Sequence, residues 1–335
     1  MIKIGLAGAG FIGQMHSACY AATRGVKLVA VADVRRNLAE ELAKEHRAAV
    51  YTDAGKMFTE AGLHVADICL PTNLHCEFVV KAARAGLHVL CEKPIATTIA
   101  EANRMIRAAK KASVQFMIAQ VIRFWPEYMV LKQYVDEGEL GKLISLQMTR
   151  LTPRPTWTWK NWVMNPKLSG GVLTEFHIHD ADFVRYLLGE PRAIQISGIK
   201  RRGVWDHIFV NYIYKNVVAQ AEGGWDFPQK FPFCMSFRAL FERGILEYNS
   251  NATPTLKCYP ADGGKPRAVR PPKARVGSIT SVGNISDLGG YYNEIKYFVD
   301  CLRKGQSPAV TTPEDARESL GLVLQELRAA ERSLR

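Results

Sequence analysis

A lysine between a glutamate and a proline is the first feature of this sequence that points to chemistry. It is Lys93, in the stretch "CEKPIATT" at residues 91–98, directly after the apolar run "LHVL". Proline fixes its own backbone angle and restricts the residue before it to extended conformations. Lys93 is therefore expected to be held at the end of a buried strand, next to Glu92. A lysine held in this way can stabilise negative charge that develops on a substrate oxygen.

A second set of reactive side chains occurs in "TEFHIHD", residues 174–180. Glu175 and His179 are four positions apart, so on a helix they share one face, whereas His177 points elsewhere. Metal ligands on a helix need a spacing of three or four residues, so we expect no metal at His177-x-His179-Asp180. Imidazole titrates near neutral pH, which suits His179 as a general base. The alternative is a core histidine that is satisfied by a carboxylate.

A glycine-rich turn near the start of the chain predicts dinucleotide binding. Gly8, Gly10 and Gly13 follow the strand-like run "IKIGLA", and a helical stretch that begins with Phe11 and Ile12 comes next. Gly8 permits a tight turn, Gly10 lets the backbone approach a pyrophosphate, and Gly13 allows close packing of helix on strand. The phosphates are expected at the N-terminus of the helix. The alternative is a plain glycine turn.

The cofactor prediction depends on the end of the next strand. Asp33 ends "KLVAVAD", 20 residues after Gly13, where its carboxylate can accept hydrogen bonds from the adenosine ribose. A carboxylate repels a 2′-phosphate, which favours NAD, whereas the following Arg35 softens that repulsion and keeps NADP as the alternative. Other strand ends are expected to face the same crevice, and the cofactor contacts predicted there are Pro71, Thr72, Asn73, His75, Glu92, Lys93 and Gln120. For "PTNLH" a plain strand-to-helix turn is an equally good explanation.

The elements that must position these residues fall into two groups. Up to about residue 121, short apolar strands alternate with helical stretches, which indicates a parallel sheet covered on both faces. Afterwards, long alternating runs such as "HIFVNYIYKN" and "FCMSFRALFE" indicate an antiparallel sheet. We therefore expect domains at 1–121 and 122–335. A final helix is expected to start at an N-cap, Thr312, and to return to the first domain.

Composition excludes several classes of protein. The chain has 335 residues, 47% of them apolar, which supports two domains, and no apolar run reaches the roughly 20 residues of a membrane span. The net charge of +12 comes from scattered basic residues without interleaved aromatics, so we expect no nucleic-acid partner. Seven cysteines without a CxxC pair and a start without a signal peptide favour free thiols in the cytoplasm.

A loop rich in tryptophan and proline is the predicted specificity element. Aromatic rings stack on the C–H faces of sugars, and Arg, Lys and Asn bind hydroxyl or carboxylate groups. The alternative is that the tryptophans fill a domain or subunit interface. The predicted substrate contacts are Arg123, in "VIRFWPEY", and Arg154, Trp157, Lys160, Asn161 and Trp162 in "TPRPTWTWKNW".

Together these motifs resemble the glucose–fructose oxidoreductase/inositol dehydrogenase (Gfo/Idh/MocA) family. The glycine turn, "PTNLH", "CEKP", "RFWPEY" with "GELGK" and "SGGVLTEFHIHDADFVRYLLG" occur in that order, and the resemblance extends to "YYNEIKYFVDCLRKGQSPAVTTPEDA". It implies an α/β fold with an N-terminal Rossmann domain and a C-terminal α/β domain whose large, mostly antiparallel open sheet serves substrate binding and oligomerisation. A homodimer or homotetramer is implied.

The resemblance also implies roles for the reactive residues. Family members place the lysine of the EKP motif, here Lys93, beside the nicotinamide and the reacting carbon. They supply an aspartate and a histidine, four residues apart, next to the substrate. His179 matches the histidine, whereas Glu175 stands where the aspartate usually is, and the extra methylene shifts that carboxylate. The expected reaction oxidises a ring secondary alcohol of an inositol, polyol or sugar with NAD(P), or reverses that oxidation.

Two other functions fit the same resemblance. One is a sugar sensor that binds a dinucleotide without turnover, although a sensor has no need of Lys93 and His179. The other is an enzyme whose tightly held NAD is recycled, so that transient oxidation supports epimerisation or cleavage of a glycosidic bond.

Overall fold

Two compact units make up the described chain. The computed structural model describes residues 1–156, 158–201, 203–272 and 288–333. Within those ranges, the first unit comprises residues 1–124 and 288–320, and the second comprises residues 125–272 and 321–333. Trp157, one of the predicted substrate contacts, lies outside the described residues.

Strands and helices alternate in the first part of the chain, and longer strands dominate afterwards. The strands, in chain order, are β1 (Ile2–Ala7), β2 (Val26–Ala32), β3 (Ala49–Tyr51), β4 (Val65–Ile68), β5 (His88–Glu92), β6 (Phe116–Ala119), β7 (Leu143–Pro153), β8 (Ala193–Arg201), β9 (Val204–Ile213), β10 (Val218–Phe227), β11 (Cys234–Phe241), β12 (Gly244–Asn249), β13 (Leu256–Pro260) and β14 (Arg267–Ala268). The helices are α1 (Phe11–Ala22), α2 (Arg36–His46), α3 (Ala54–Glu60), α4 (Thr72–Arg84), α5 (Ile99–Lys111), α6 (Pro126–Glu137), α7 (Pro166–Ser169), α8 (Ile178–Leu188), α9 (Gly289–Lys304) and α10 (Pro313–Ser333). Short helical turns occur at Val121–Phe124, Trp159–Met164 and Leu173–His177.

The first unit is built on a parallel sheet. Its strands lie in the order β3-β2-β1-β4-β5-β6. β4, β5 and β6 are buried almost throughout, as expected for strands that are covered on both faces. The strand order reverses between β1 and β4, where ligands bind in sheets of this kind, outside the carboxyl ends of the strands. This arrangement confirms the predicted Rossmann domain.

Side chains at helix N-termini explain why several helices begin where they do. The Asp53 carboxylate accepts a hydrogen bond of 2.7 Å from the Gly55 N–H and caps α3. Thr98 caps α5 by accepting a hydrogen bond from the Glu101 N–H. The Thr312 hydroxyl accepts one from the Asp315 N–H at 3.0 Å, so the predicted N-cap of α10 is confirmed. Each cap satisfies a backbone donor that has no partner within its helix.

The second unit is built on a large sheet in the order β14-β13-β12-β11-β7-β10-β9-β8. Neighbouring strands are antiparallel except for the central pair, β7 and β10, which run parallel. Along β9, buried Ile208, Val210 and Tyr212 alternate with residues of higher exposure such as Phe209 and Ile213. The predicted mostly antiparallel sheet is therefore confirmed, and one of its faces carries the core of the unit.

An aromatic cluster joins helices to the buried face of this sheet. The Tyr128 ring of α6 lies edge-on to Phe183, Phe237 and Tyr248, with ring centroids 4.9, 5.3 and 5.6 Å away. Edge-to-face pairs add to the free energy that burial of their area already supplies. No helix in the described ranges has both the length and the apolar character that a membrane-spanning segment needs.

The structure differs from the sequence-based expectation in two helices. The sequence "LTEFHIHDADFVRYLLG", residues 173–189, predicts one continuous helix. In the structure that helix is divided, because Leu173–His177 forms a π-helical turn and the α-helix starts at Ile178. The sequence predicts an apolar stripe on the final helix at Leu320, Val323, Leu324 and Leu327. Leu320 and Val323 are buried in the structure, but so is the carboxylate of Glu326. The π-helical turn lies directly before the candidate base, His179, in sequence.

Candidate functional site

The glycine turn connects β1 to α1 and has the geometry of a phosphate cradle. Gly8 has φ +101°, and a Cβ there would lie 2.3 Å from the Cys69 carbonyl oxygen. A Cβ on Gly13 would lie 2.0 Å from the Gly8 oxygen, whereas a Cβ on Gly10 would meet only the Arg35 guanidinium, at 3.9 Å. No side chain caps the first turn of α1. The turn therefore leaves open space and backbone N–H groups where an anion can bind.

Asp33 follows β2 and is already engaged by its neighbours. Its carboxylate accepts hydrogen bonds from the Ala9 N–H at 2.9 Å and the Arg35 N–H at 2.8 Å. The Arg35 guanidinium donates to both carboxylate oxygens at 3.0 Å. Burial acts to raise the pKa of Asp33, but the hydrogen bonds from Arg35 and the backbone outweigh it and lower the pKa. The carboxylate is therefore ionised, and the arginine lies beside the glycine turn.

The ends of β4 and β5 carry the next group of predicted residues. His75 is buried, and its ring nitrogens lie 2.8 Å from the Leu70 oxygen and 2.9 Å from the Pro94 oxygen. Burial is the largest influence on the His75 pKa and lowers it. The imidazole thus links the loops after the two strands, and its direct contact with a cofactor stays a prediction. The same holds for Pro71, Thr72 and Asn73 at the start of α4.

Lys93 directly follows β5, as predicted. It is half-buried, its N–H donates to the Glu92 carboxylate at 3.1 Å, and a cis peptide bond joins it to Pro94. Gln120 follows β6 and is 2% exposed, and its side-chain Nε2 is a buried donor without a hydrogen-bond partner. Open space at Gly10, an acceptor at Asp33 and an unsatisfied donor at Gln120 all fit a bound dinucleotide.

A buried ionic cluster in the first unit was missed by the sequence analysis. His16 of α1 lies between the carboxylates of Asp67 on β4 and Glu92 on β5. Cys69 and Asp67 carry metal-ligand atoms within 4.8 Å of those of His16, but in the structure these atoms hydrogen-bond one another. A signal was present, because Asp67 is an acid inside the apolar run "VADICL". Such an acid needs a buried partner.

In the second unit, four polar residues lie on the π-helical turn and the first turn of α8. His177 is buried, with its Nε2 3.0 Å from the Tyr212 hydroxyl and 3.2 Å from the Glu326 carboxylate. Asp180 accepts two hydrogen bonds from the Arg150 guanidinium, at 2.7 and 3.0 Å. His179 and Glu175 are half-buried. His177 and Asp180 therefore have different partners.

The predicted substrate loop has unusual backbone geometry. Lys160 and Asn161 have φ of 50° and 53°, in the left-handed region that residues other than glycine seldom adopt. Both are exposed, Trp162 is half-buried, and the Lys160 ammonium lies 4.7 Å from the Trp159 ring centroid. Strained backbone of this kind is concentrated at functional sites. The loop therefore remains a candidate for substrate contact.

The two predicted arginines are engaged in their own units. Arg154 pairs with the buried Asp206 at 2.5 Å and lines a surface cavity of about 320 Å³ with Arg201, Asp226 and Phe227. Arg123 is 4% exposed, and its guanidinium contacts the Val310 oxygen at 2.7 Å and Asp315 at 2.5 Å. For both residues, substrate binding stays a prediction.

Comparison with family models gives two matches that follow each other along the chain. Residues 2–120 match a model described as an oxidoreductase family with an NAD-binding Rossmann fold, named GFO_IDH_MocA. Residues 128–247 match the model of the C-terminal domain of the same family.

Comparisons with individual proteins agree with this assignment. A levoglucosan dehydrogenase of Pseudarthrobacter phenanthrenivorans is 32% identical over 209 residues, which cover 58% of this chain and 53% of that protein. A myo-inositol 2-dehydrogenase of Thermotoga maritima is 33% identical over 193 residues, which cover 56% of this chain and 55% of that protein. The chain thus matches about half the length of these relatives. A solved levoglucosan dehydrogenase in complex with NADH and levoglucosan has the same fold, with a TM-score of 0.85, 23% identity, and 99% and 97% of the chains covered.

Proposed function

The chain belongs to the GFO/IDH/MocA oxidoreductase family, and on that premise we propose that it transfers a hydride between a nicotinamide cofactor and a ring secondary alcohol or ketone of a sugar, inositol or other polyol. The observation that carries the proposal is the crevice of the first unit, where the glycine turn, Asp33 and Lys93 follow β1, β2 and β5. Bound NAD supplies the carbon that accepts or donates the hydride.

The residues of the first unit hold the dinucleotide. The N-terminal turn of α1, with Phe11 and Ile12, binds the pyrophosphate across Gly10, and Asp33 accepts hydrogen bonds from the ribose. The unsatisfied Nε2 of Gln120 gains an acceptor when the cofactor binds. NAD is favoured because the Asp33 carboxylate repels a 2′-phosphate. Arg35 already pairs with that carboxylate and reduces the repulsion, so NADP is the weaker alternative.

Two side chains handle the charge and the proton of the substrate hydroxyl. Lys93 donates a hydrogen bond to the oxygen that becomes negative as the hydride leaves, because its place at the end of β5 fixes its backbone. His179 accepts the hydroxyl proton. Glu175, four residues before His179 and within the π-helical turn, orients either His179 or the substrate. None of these steps uses a metal.

The remaining assignments follow the division of the chain. Dinucleotide binding is assigned to residues 1–121. Substrate binding and the contacts of a homodimer or homotetramer are assigned to residues 122–335, of which residues 288–320 belong to the first compact unit. The loop with Trp157, Lys160, Asn161 and Trp162, together with Arg123 and Arg154, selects the substrate. The seven cysteines carry no disulfide, which fits work in the reducing cytoplasm.

A spectrophotometric screen tests the proposal. Purified protein is incubated with NAD or NADP and a panel of inositols, aldoses, sugar acids and anhydro-sugars, and reduced nicotinamide is followed by absorbance. Lys93→Ala is run beside Lys81→Ala, a matched change of an exposed lysine that pairs with Glu77 on α4. We expect turnover with at least one substrate class. Lys93→Ala should lower kcat about 100- to 1,000-fold, as loss of a positioned oxyanion donor does, whereas Lys81→Ala should not.

Two results would contradict the proposal. Dinucleotide binding without turnover across the panel would favour a sugar sensor. Cofactor that copurifies with the protein and does not exchange with added NAD would favour transient oxidation within an epimerase or a glycosidase-like enzyme.

A further inference from the structure

A buried imidazole connects the glycine-turn helix to the strand that ends at Lys93. His16 on α1 is 0% exposed, with Nδ1 2.8 Å from Asp67 Oδ2 and Nε2 3.2 Å from Glu92 Oε1. The Tyr20 hydroxyl donates to the same oxygen of Asp67 at 2.8 Å. Asp67 and Glu92 belong to β4 and β5, so one ring joins three elements that border the crevice.

The contacts of His16 require protons on both ring nitrogens. Ionised carboxylates only accept hydrogen bonds, so a ring between Asp67 and Glu92 satisfies both by donating on each side. Burial acts to lower the pKa of His16, but the charge of Asp67 outweighs it and raises the pKa well above its usual value. A protonated ring thus has a hydrogen bond for the carboxyl group on each side of it.

Other titratable groups around the ring do not carry a compensating positive charge. Burial, followed by repulsion from Glu92, raises the pKa of Glu294 on α9 well above its usual value, which favours the neutral carboxyl. The groups that face the cluster are Cys19 and Tyr20 on α1, Asp67 and Cys69 at β4, Cys91 and Glu92 on β5, and Tyr291 and Glu294 on α9. Burial raises the pKa of Cys19 to about 12, so that thiol is uncharged as well. His16 is thus the cation among these groups.

The hydrogen bonds of Glu92 connect the His16 ring to the backbone of Lys93. One carboxylate oxygen of Glu92 receives the His16 ring, and the other receives the Lys93 backbone N–H at 3.1 Å. Glu92 is 6% exposed, so water has little access to replace a lost donor. Removal of the donor on His16 leaves the buried Glu92 carboxylate without one of its hydrogen-bond donors, which favours movement of the Glu92 side chain. Movement of Glu92 releases the Lys93 N–H.

We propose that His16 is a positioning residue. Its Nδ1–H fixes the ring against Asp67, and its Nε2–H holds Glu92 and, through it, the backbone of Lys93 in the place required for turnover. This inference rests on the proposed role of Lys93. It assigns His16 no contact with substrate or cofactor.

Two substitutions at His16 each keep a donor for only one of the two carboxylates that the ring contacts. The side-chain amide of His16→Gln places a nitrogen near the position of Nε2 and keeps a donor for Glu92. His16→Asn places it near Nδ1 and keeps a donor for Asp67 only. His46→Gln, a change at a half-buried histidine of α2, is the matched control. Each protein is measured for kcat and KM across pH, for NAD affinity by fluorescence, for Tm, and for hydrogen exchange at the Lys93 amide by mass spectrometry.

We expect His16→Asn to lose kcat by up to about 100-fold, as a misplacement near 1 Å does, with a smaller loss in His16→Gln. Exchange at the Lys93 amide should rise in His16→Asn more than in His16→Gln, and KM and NAD affinity should change less than kcat. Equal loss of kcat in both variants, or a loss that follows Tm alone, would overturn the proposal. So would a stoichiometric transition metal in the purified protein, because its ligand would be a deprotonated ring nitrogen.

Two readouts do not depend on turnover. In the wild-type protein, nitrogen-15 NMR of histidine should show two protonated ring nitrogens for His16 at pH 8, and a neutral ring would overturn the assignment even if both variants fail to fold. If the substrate panel gives no turnover but exchange at Lys93 still follows the order Asn above Gln, the proposed function fails and the positioning role stands.

Discussion

Alanine substitutions at Gly10 and Gly13 should separate cofactor binding from folding within one turn. A Cβ on Gly10 meets nothing nearer than the Arg35 guanidinium at 3.9 Å, and the backbone there, with φ −76° and ψ −166°, is one that alanine adopts readily. A Cβ on Gly13 would lie 2.0 Å from the Gly8 oxygen. Gly10→Ala therefore adds a methyl group to the space where the phosphates are expected. Gly13→Ala adds one where the backbone of α1 already touches the turn.

The distances set the expected magnitudes. Ordinary contact begins at 3.4 Å, so Gly13→Ala forces a separation of about 1.4 Å between backbone atoms. Overpacking of this kind costs about 1–3 kcal/mol, which lowers Tm by about 2–12 °C for a unit of this size. Gly10→Ala should leave the free energy of unfolding unchanged or raise it by about 0.4–1 kcal/mol. Its methyl group should weaken the Kd for NAD about 5- to 150-fold if the phosphates approach as closely as proposed.

Differential scanning fluorimetry and NAD titration, followed by tryptophan or nicotinamide fluorescence, measure both quantities on the same samples. The reasoning predicts a variant that folds and does not bind, Gly10→Ala, and one that is measurably less stable, Gly13→Ala. Wild-type affinity in Gly10→Ala would refute the placement of the pyrophosphate on this turn. An unchanged Tm in Gly13→Ala would refute the close contact between α1 and the turn.

Asp33→Asn should weaken NAD binding about 10- to 150-fold, since hydrogen bonds to a charged group contribute about 1.5–3 kcal/mol, and isothermal titration measures this loss. The contacts that lower the pKa of Asp33 also stabilise the fold above about pH 4, and this contribution is lost as pH falls through the lowered pKa. The free energies of unfolding of the wild type and Asp33→Asn, measured with urea, should therefore converge in acid. A constant difference across pH would contradict the pairing with Arg35. Asp180→Asn leaves the Arg150 guanidinium buried without its carboxylate and should cost about 3–5 kcal/mol in urea unfolding, so a cost below about 1 kcal/mol would contradict a buried ion pair. Burial raises the pKa of Cys19 to about 12, so iodoacetamide at pH 8 should leave this thiol unmodified in the native protein and label it after denaturation, as mass spectrometry can show.

Features that depend on neighbouring residues were predictable from the sequence. The glycine turn, the start of α10 at Thr312 and the position of Lys93 at the end of β5 are set by local backbone geometry. The change from a parallel to a mostly antiparallel sheet was predictable for the same reason, because the pattern of apolar residues differs between strands covered on both faces and on one.

Features that depend on distant residues were not predictable. His16 meets partners 51 and 76 positions away, and neither spacing leaves a periodic signal. The parallel pairing of β7 with β10 joins strands that are separated by two others in the chain. The π-helical turn before His179 breaks the period of 3.6 residues on which the spacing argument was based, and the Glu326 carboxylate that contacts His177 lies within an apolar stripe.

Stability alone does not account for the buried histidine–carboxylate contacts of this chain. Replacement of a buried ion pair by apolar residues of similar volume is often neutral or stabilising, because desolvation of the charges costs so much. Yet Glu92, which contacts His16, directly precedes Lys93 in sequence. His177, which contacts Glu326, precedes His179 by two residues. In each unit, a costly histidine–carboxylate contact adjoins the residue proposed to handle the substrate hydroxyl. The hydrogen bonds of His16 to Glu92 and of His177 to Tyr212 define position more narrowly than apolar packing does, because hydrogen bonds constrain both distance and direction. Selection for a fixed geometry explains their place in the chain, whereas selection for a stable core does not.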